Sequence, residues 1–202
     1  MTFEKGLSKY IDKKNLSKIR SFKIGIAGTG GLGSNCAMML VRSGFNDFII
    51  ADFDIVDHSN LNRQFFFFDQ VGKKKTDMLS VNLLKINENL NISKINDPLS
   101  SENIKLIFRD CDIIIEAFDD PYMKKVIIES FVNTEKFLVS ASGISGFKMY
   151  EKIKVRKVRE NFYLVGDEKS EISTENPPVG PGVNIAASIQ ADIVLSYALG
   201  KL

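Results

Sequence analysis

Residues 22–63, FKIGIAGTGGLGSNCAMMLVRSGFNDFIIADFDIVDHSNLNR, read as strand, glycine turn, helix, strand and polar loop, and the rest of the chain is arranged around them. The apolar run Ile24-Gly25-Ile26-Ala27 enters Gly28-Thr29-Gly30-Gly31-Leu32-Gly33, a G-x-G-x-x-G, and Ser34 to Arg42 continues at helical spacing through Cys36, Met39 and Leu40. Glycine is what such a turn requires: it bends tightly, lets backbone N–H groups approach phosphate oxygens and lets helix pack closely on strand. Asp52 ends the second strand about twenty residues beyond Gly33, where an acidic side chain meets ribose hydroxyls.

That pattern alone says adenine nucleotide on a doubly wound sheet, and leaves dinucleotide and mononucleotide open. The loop beyond it distinguishes them. Asp52-Phe53-Asp54 is followed by Ser59-Asn60-Leu61-Asn62-Arg63-Gln64, which brings an amide and a guanidinium beside the glycine turn. A planar, permanently charged guanidinium suits a phosphate, and a dinucleotide has little use for it there.

The length of 202 residues fits one sizeable α/β domain that needs no metal or disulfide staples. The expected architecture is α/β: a Rossmann-like doubly wound, mostly parallel sheet extended by C-terminal antiparallel strands. One domain, 1–202, comprises an N-terminal helical segment (1–21), a nucleotide-binding core (22–142) and an extension with crossover loop and final helix (143–202). With 27 basic and 25 acidic side chains the net charge is +2, which argues against a general binder of nucleic acid or membrane surfaces. The start has no signal-like apolar core and no apolar run reaches the roughly 18 residues of a membrane span, so a cytoplasmic location is expected. Cys36 and Cys111 fall on separate elements and read as small buried apolar residues rather than a disulfide.

Phe3 to Arg20 reads as one amphipathic helix with Leu7, Ile11, Leu16 and Ile19 as its apolar positions. Phe65 to Phe68 are four consecutive aromatics that cannot all face one core; two buried and two at a subunit interface is the expectation, a contact with a carrier protein the alternative. A helix is expected from Thr76 to Leu90, buried through Met78, Val81, Leu83, Leu84 and Ile86, and another from Ser101 to Arg109 capped by Ser100 or Ser101. The Lys73-Lys74-Lys75 run opens the first of these, where the helix dipole is already positive, so an anion is expected beside it. Asp119 and Asp120 follow the buried strand Asp112 to Glu116 at the edge where ligands sit in open α/β sheets. Phe147 to Leu164 alternates like a hairpin with Lys152, Lys154 and Arg156 on one face. Residues 166–182, with three of the five prolines, read as a crossover loop before a helix from Val183 to Leu199 that buries Ile185, Ile189, Ile193, Val194 and Leu195.

Five motifs in order carry a resemblance: Gly28-x-Gly30-Gly31-Leu32-Gly33-Ser34, Asp52-Phe53-Asp54, Ser59-Asn60-Leu61-Asn62-Arg63-Gln64, Gly72-x-x-Lys75 and Glu116-Ala117-Phe118-Asp119-Asp120. Over residues 22–142 the chain resembles the ThiF family, in its short form, of the ubiquitin-activating-enzyme-like superfamily of carrier-protein adenylyltransferases. The resemblance implies ATP and Mg²⁺ as cofactors, a ubiquitin-like sulfur carrier of the ThiS type as partner, a separate sulfur-donating enzyme, a homodimer, and adenylylation of the carrier's C-terminal glycine in thiamine biosynthesis. It assigns Gly28, Gly30, Gly31 and Gly33 to the nucleotide, Asp52 to ribose, Asn60 and Arg63 to phosphates, Lys75 to departing pyrophosphate and Asp119 to Mg²⁺. Asp120, directly before Pro121, reads from its position as the cap of the following helix.

Departures are equally specific. The two C-x-x-C pairs of longer members are absent, so no zinc is expected. The N-terminal arginine that reaches a neighbouring subunit's ATP has no counterpart motif, with Arg20, Lys13, Lys14 or Lys18 as substitutes. The crossover loop lacks a cysteine for a covalent carrier link, and His58 reads as a surface residue. Competing readings are a MoeB-like activator of the molybdopterin carrier, a dehydratase acting on modified tRNA, an NAD-dependent oxidoreductase, and a non-catalytic scaffold for a ubiquitin-like protein.

Overall fold

The structure, a computed structural model, describes residues 2–202. Two short helices lead in, α1 (Phe3–Leu7) and α2 (Lys13–Arg20). The single helix expected over this segment is broken because Asp12, with extended backbone, accepts the Asn15 N–H and begins a second helix. Leu16 and Ile19 of α2 are buried.

The nucleotide-binding unit follows as β1 (Lys23–Ala27), α3 (Gly31–Arg42) and β2 (Asp47–Ala51). Then come α4 (Lys75–Leu84), β3 (Asn91–Ile95), α5 (Ile104–Ile107), β4 (Ile113–Glu116), α6 (Pro121–Phe131) and β5 (Phe137–Ser142). The chain ends with α7 (Met149–Lys152), β6 (Lys154–Arg159), β7 (Phe162–Gly166) and α8 (Gly180–Leu199). One seven-stranded sheet has the order β3-β2-β1-β4-β5-β7-β6. All neighbours are parallel except β6 and β7. The expected antiparallel extension is present in this form: β7 adds parallel to β5, and only the outermost strand runs antiparallel. The short helix α7 occupies the start of the expected hairpin.

Side chains alternate between two cores, as a sheet covered on both faces requires. Ile24, Ile26, Ile113, Ile115, Phe137 and Val139 point to the side of α3 and α8, while Ala27, Ile114 and Leu138 meet α5 and α6. Register aligns Ala27 with Ala51 and with Glu116, so the turns after β1, β2 and β4 open side by side at one edge.

Three helix faces differ from the sequence reading. In α4 the buried residues are Lys75, Thr76, Leu79, Ser80, Asn82 and Leu83, whereas Val81 and Leu84 are exposed. Polar Gln70 and Asn82 bond each other in the interior, so burial there does not follow apolarity. In α5 the cap is Asn103, and the helix is one turn long. In α8 the buried stripe is Gly182, Val183, Ala186, Ala187, Gln190, Ala191, Ile193, Val194 and Ala198, with Ile185, Ile189 and Leu195 only partly covered. Close packing of α8 along α3 selects small residues for the seam. By length and composition α8 would also suffice to cross a membrane, contrary to the sequence reading, but half of that stretch is buried within the fold.

Candidate functional site

A cleft of about 860 Å³ opens where β1, β2, β4 and β5 end. Its floor is the glycine turn. Gly28 has φ +93°, and a Cβ there would stand 2.9 Å from the Ala117 carbonyl oxygen, so the position admits only glycine. Gly28, Gly30 and Gly31 line the cleft. Gly33 does not; a Cβ on it would fall 1.9 Å from the Gly28 carbonyl oxygen, so its part is the close approach of α3 to the turn.

Asp52 is 8% exposed and faces the turn. Its Oδ2 accepts from the Thr29 N–H at 2.7 Å and the Thr29 hydroxyl at 2.9 Å, and its Oδ1 from the Asp54 N–H at 2.9 Å. Three donors hold the carboxylate rigid at the lip of β2, with lone pairs remaining on Oδ1.

The polar loop bends over the start of α3. Buried Asn35 donates from one amide nitrogen to the carbonyls of Gly31, at 2.7 Å, and Arg63, at 2.8 Å. The Ser34 hydroxyl donates to Gly30 and accepts from the Phe65 N–H, a second staple. Arg63 lines the cleft, and its Nη1 donates to the Ser59 carbonyl at 3.0 Å and Asn62 Oδ1 at 2.8 Å. Asn60 stands apart from the cleft lining: its Oδ1 accepts the Asp57 N–H and closes the short 3₁₀ turn before Arg63.

Lys75 is the first residue of α4 and is 6% exposed, whereas Lys73 and Lys74 are exposed. Its Nζ lies 2.7 Å from Asp54 Oδ2, and its N–H donates to the Asp54 carbonyl. The anion expected beside this misplaced lysine is thus supplied by the protein.

The opposite wall begins with α6. Asp120 caps it by accepting the Tyr122 N–H, which leaves exposed Asp119 as the carboxylate at the cleft wall. Beneath them Glu116, fully buried at the end of β4, accepts from the Phe118 N–H, from Lys124 Nζ at 2.6 Å and from the Ser140 hydroxyl. Lys124 donates again to the Ala141 carbonyl at 2.7 Å and borders the cleft. The sequence reading gave Glu116, Thr29 and Asn62 only motif positions and overlooked Lys124, Ser140 and Asn35. For Glu116 a signal existed: an acid directly after Ile113-Ile114-Ile115 is out of place in a buried strand unless paired.

The crossover loop closes the wall through Glu168, Lys169, Ser170, Glu171, Ile172 and Pro178. Partial burial works against ionisation of Asp167, but N–H bonds from Ser170 and Lys169 and the Ser170 hydroxyl prevail and hold its carboxyl below the usual range. Arg156 of β6 grips Glu168 with both arms, at 2.9 and 2.6 Å.

Several other residues lie away from the cleft. Arg20 pairs with Glu4 at 3.0 Å on the lead-in helices. His58 is exposed beside Phe68. Cys36 and Cys111 are free and buried; burial pushes the Cys36 thiol well up and that of Cys111 to about 12. Phe66 is buried and Phe65 is partly buried against the core, while Phe67 and Phe68 are exposed.

Comparison with known proteins gives concordant results. Adenylyltransferase and sulfurtransferase UBA4 of Candida glabrata is 30% identical over 189 residues, 91% of this chain and 44% of that protein. SUMO-activating enzyme subunit 2 of Dictyostelium discoideum is 31% identical over 139 residues, 68% of this chain and 21% of that one. The chain therefore spans less than half the length of these relatives. Among solved structures, Escherichia coli tRNA N6-threonylcarbamoyladenosine dehydratase, TcdA, in complex with ATP shares the fold with a TM-score of 0.88 at 18% identity, over 98% of this chain and 93% of that chain. E. coli MccB with AMPCPP and MccA shares it with a TM-score of 0.73 at 22% identity, over 93% and 59%. The ThiF family model matches residues 5–201, nearly the whole sequence, and the chain belongs to the ThiF family.

Proposed function

We propose that this chain binds ATP in the cleft and transfers AMP to a carboxylate, the C-terminal glycine of a ubiquitin-like sulfur carrier of the ThiS type, in thiamine biosynthesis in the cytoplasm. The observation that carries the reading is the convergence on one cleft of an approachable glycine turn, the cations Arg63 and Lys75, and the carboxylates Asp52 and Asp119. The relatives named adenylyltransferases support it, as do neighbours of the same fold solved with ATP or AMPCPP.

A free carboxylate is a poor electrophile, because its charge repels nucleophiles and oxide does not leave. In the proposed reaction a carboxylate oxygen attacks the α-phosphorus in line, the bond to the α–β bridging oxygen breaks, and its electron pair departs with pyrophosphate. No proton changes hands, so the protein's part is positioning and charge stabilisation. Asp52 takes a ribose hydroxyl on its Oδ1, the backbone of Gly28, Gly30 and Gly31 lies along the phosphates, and Arg63 and Lys75 hold their charge. Asn60 contributes by closing the turn that carries Arg63.

Among the described residues no group of three or more His, Cys, Asp or Glu side chains forms a metal cage. A nucleotide-bound Mg²⁺ would need none, since phosphates and water would supply most of its ligands beside one or two carboxylates. Asp119 fits that part, and the ion when bound would offset phosphate charge. With both cysteines buried away from the cleft, sulfur is proposed to come from a separate enzyme after adenylylation. Exposed Phe67 and Phe68 are proposed to complete a homodimer interface.

A second reading, ATP-dependent dehydration of a modified nucleoside in tRNA, is favoured by the near-complete coverage of TcdA and by the exposed basic strand β6. ATP–pyrophosphate exchange with Mg²⁺ and a ThiS-type carrier, beside the carrier lacking its last glycine, separates the two. Exchange only with the intact tail is the expected result; ATP binding with no exchange on any carrier would favour the second.

A further inference from the structure

Arg63 is anchored at both ends. Its carbonyl is tied by Asn35 to the first turn of α3, and its guanidinium by Asn62 and Ser59 to its own loop. The two hydrogens of Nη1 are spent on those acceptors, which leaves three N–H groups on Nε and Nη2 for a ligand. Asn62 has a second bond: its Nδ2 donates to the carbonyl of Pro178 at 3.1 Å, 116 residues further on and at the end of the crossover loop. The backbones also meet there, since a Cβ on Gly180 would stand 2.8 Å from the Asn62 carbonyl oxygen and 3.9 Å from Arg63 Cα.

We infer that Asn62 couples the crossover loop to Arg63, so that a phosphate held by the guanidinium also fixes the loop wall of the cleft. This rests on the reading above in which Arg63 binds nucleotide phosphate. A phosphate on Nε and Nη2 immobilises the guanidinium, Nη1 then holds Asn62 Oδ1 in place, and the polarised amide bonds Pro178 more firmly. The loop, which supplies residues 168–172 to the wall, becomes the element that registers whether nucleotide is present. Asn62 is a positioning residue; it acts on substrate only through Arg63 and Pro178.

The test measures binding of ATP and of adenosine by calorimetry, and the rate of tryptic cleavage after exposed Lys169, followed by mass, with and without saturating ATP. In the native sequence ATP should slow that cut several-fold and adenosine should not. In Asn62→Ala, ATP affinity should fall on the order of tenfold with adenosine affinity unchanged, and ATP should no longer protect Lys169. Asn62→Asp keeps an acceptor for Arg63 but has no N–H for Pro178, and should also lose protection. Retained protection in both variants at saturating ATP, or ATP binding without protection in the native sequence, overturns the coupling alone. No ATP binding by the native sequence overturns the nucleotide reading and the coupling with it.

Discussion

The ammonium of Lys124 lies 2.6 Å from the carboxylate of Glu116, joining a lysine at the cleft wall to a fully buried acid at the end of β4. The pair bridges two strand ends, because Lys124 also holds Ala141 of β5. Removing the cation leaves a buried carboxylate with only the Phe118 N–H and the Ser140 hydroxyl. Lys124→Met should therefore cost about 3 kcal/mol, the lower end for a broken buried pair because Lys124 keeps some exposure. Urea denaturation reads the loss, and Ser140→Ala should cost about 1 kcal/mol.

Arg63 bonds exposed Ser59 and Asn62, and the Asp54 partner of Lys75 is itself half-exposed, so water can satisfy these partners and the loss of either cation should be felt mainly by the nucleotide. Arg63→Ala should lower ATP–pyrophosphate exchange by roughly a hundredfold while stability changes by less than about 1 kcal/mol. Lys75→Ala should act similarly on exchange. An Arg63→Ala protein with native exchange rates would refute the phosphate role.

Two glycines of one turn should respond in opposite ways. Gly33→Ala brings a methyl to 1.9 Å from a backbone oxygen that cannot withdraw, and should cost more than about 3 kcal/mol. Gly30→Ala meets nothing nearer than the Gln64 amide at 3.7 Å and should fold normally, while its methyl, on the cleft floor, weakens ATP binding. Thermal melts and nucleotide titration of the pair separate packing from binding.

Both thiols are raised by burial from an ordinary value of 9.0, so the unfolded chain loses these protons first as pH rises. Their contribution to stability is complete below pH 9 and falls as pH climbs toward about 12. The urea midpoint should decline from about pH 9 upward. A thiol reagent at pH 8 should label neither Cys36 nor Cys111 until denaturant is added, and rapid native labelling would show an accessible thiol.

The features legible in the sequence are those whose cause lies within a few residues. The G-x-G-x-x-G turn, the strand ends and the cap at Asp120 follow from local chemistry, while the choice of Lys75 over its two neighbours comes from the family motif; in the structure Lys75 is the buried one of the three. The residues left without a role have partners beyond their own motif: Asn35 reaches Arg63, Asn62 reaches Pro178, and Glu116 is satisfied by Lys124 on the next helix and Ser140 on the next strand. On α8 the expected Ile193 and Val194 are buried, but Ile185, Ile189 and Leu195 are only partly so, because close contact with α3 favours alanine over isoleucine. Gly33 was grouped with the nucleotide-facing glycines because the motif does not say which ones carry phosphate and which carry packing.

The small-residue seam between α3 and α8 also has a temporal meaning. The glycine turn and its helix leave the ribosome well before residues 180–199, which supply the surface that buries them. A nascent chain ending after β5 would hold every motif of the nucleotide site and still expose the flank of α3. Burial of α3 thus waits on the synthesis of α8, a long-range closure of the kind that slows formation and leaves the partly made unit exposed to aggregation.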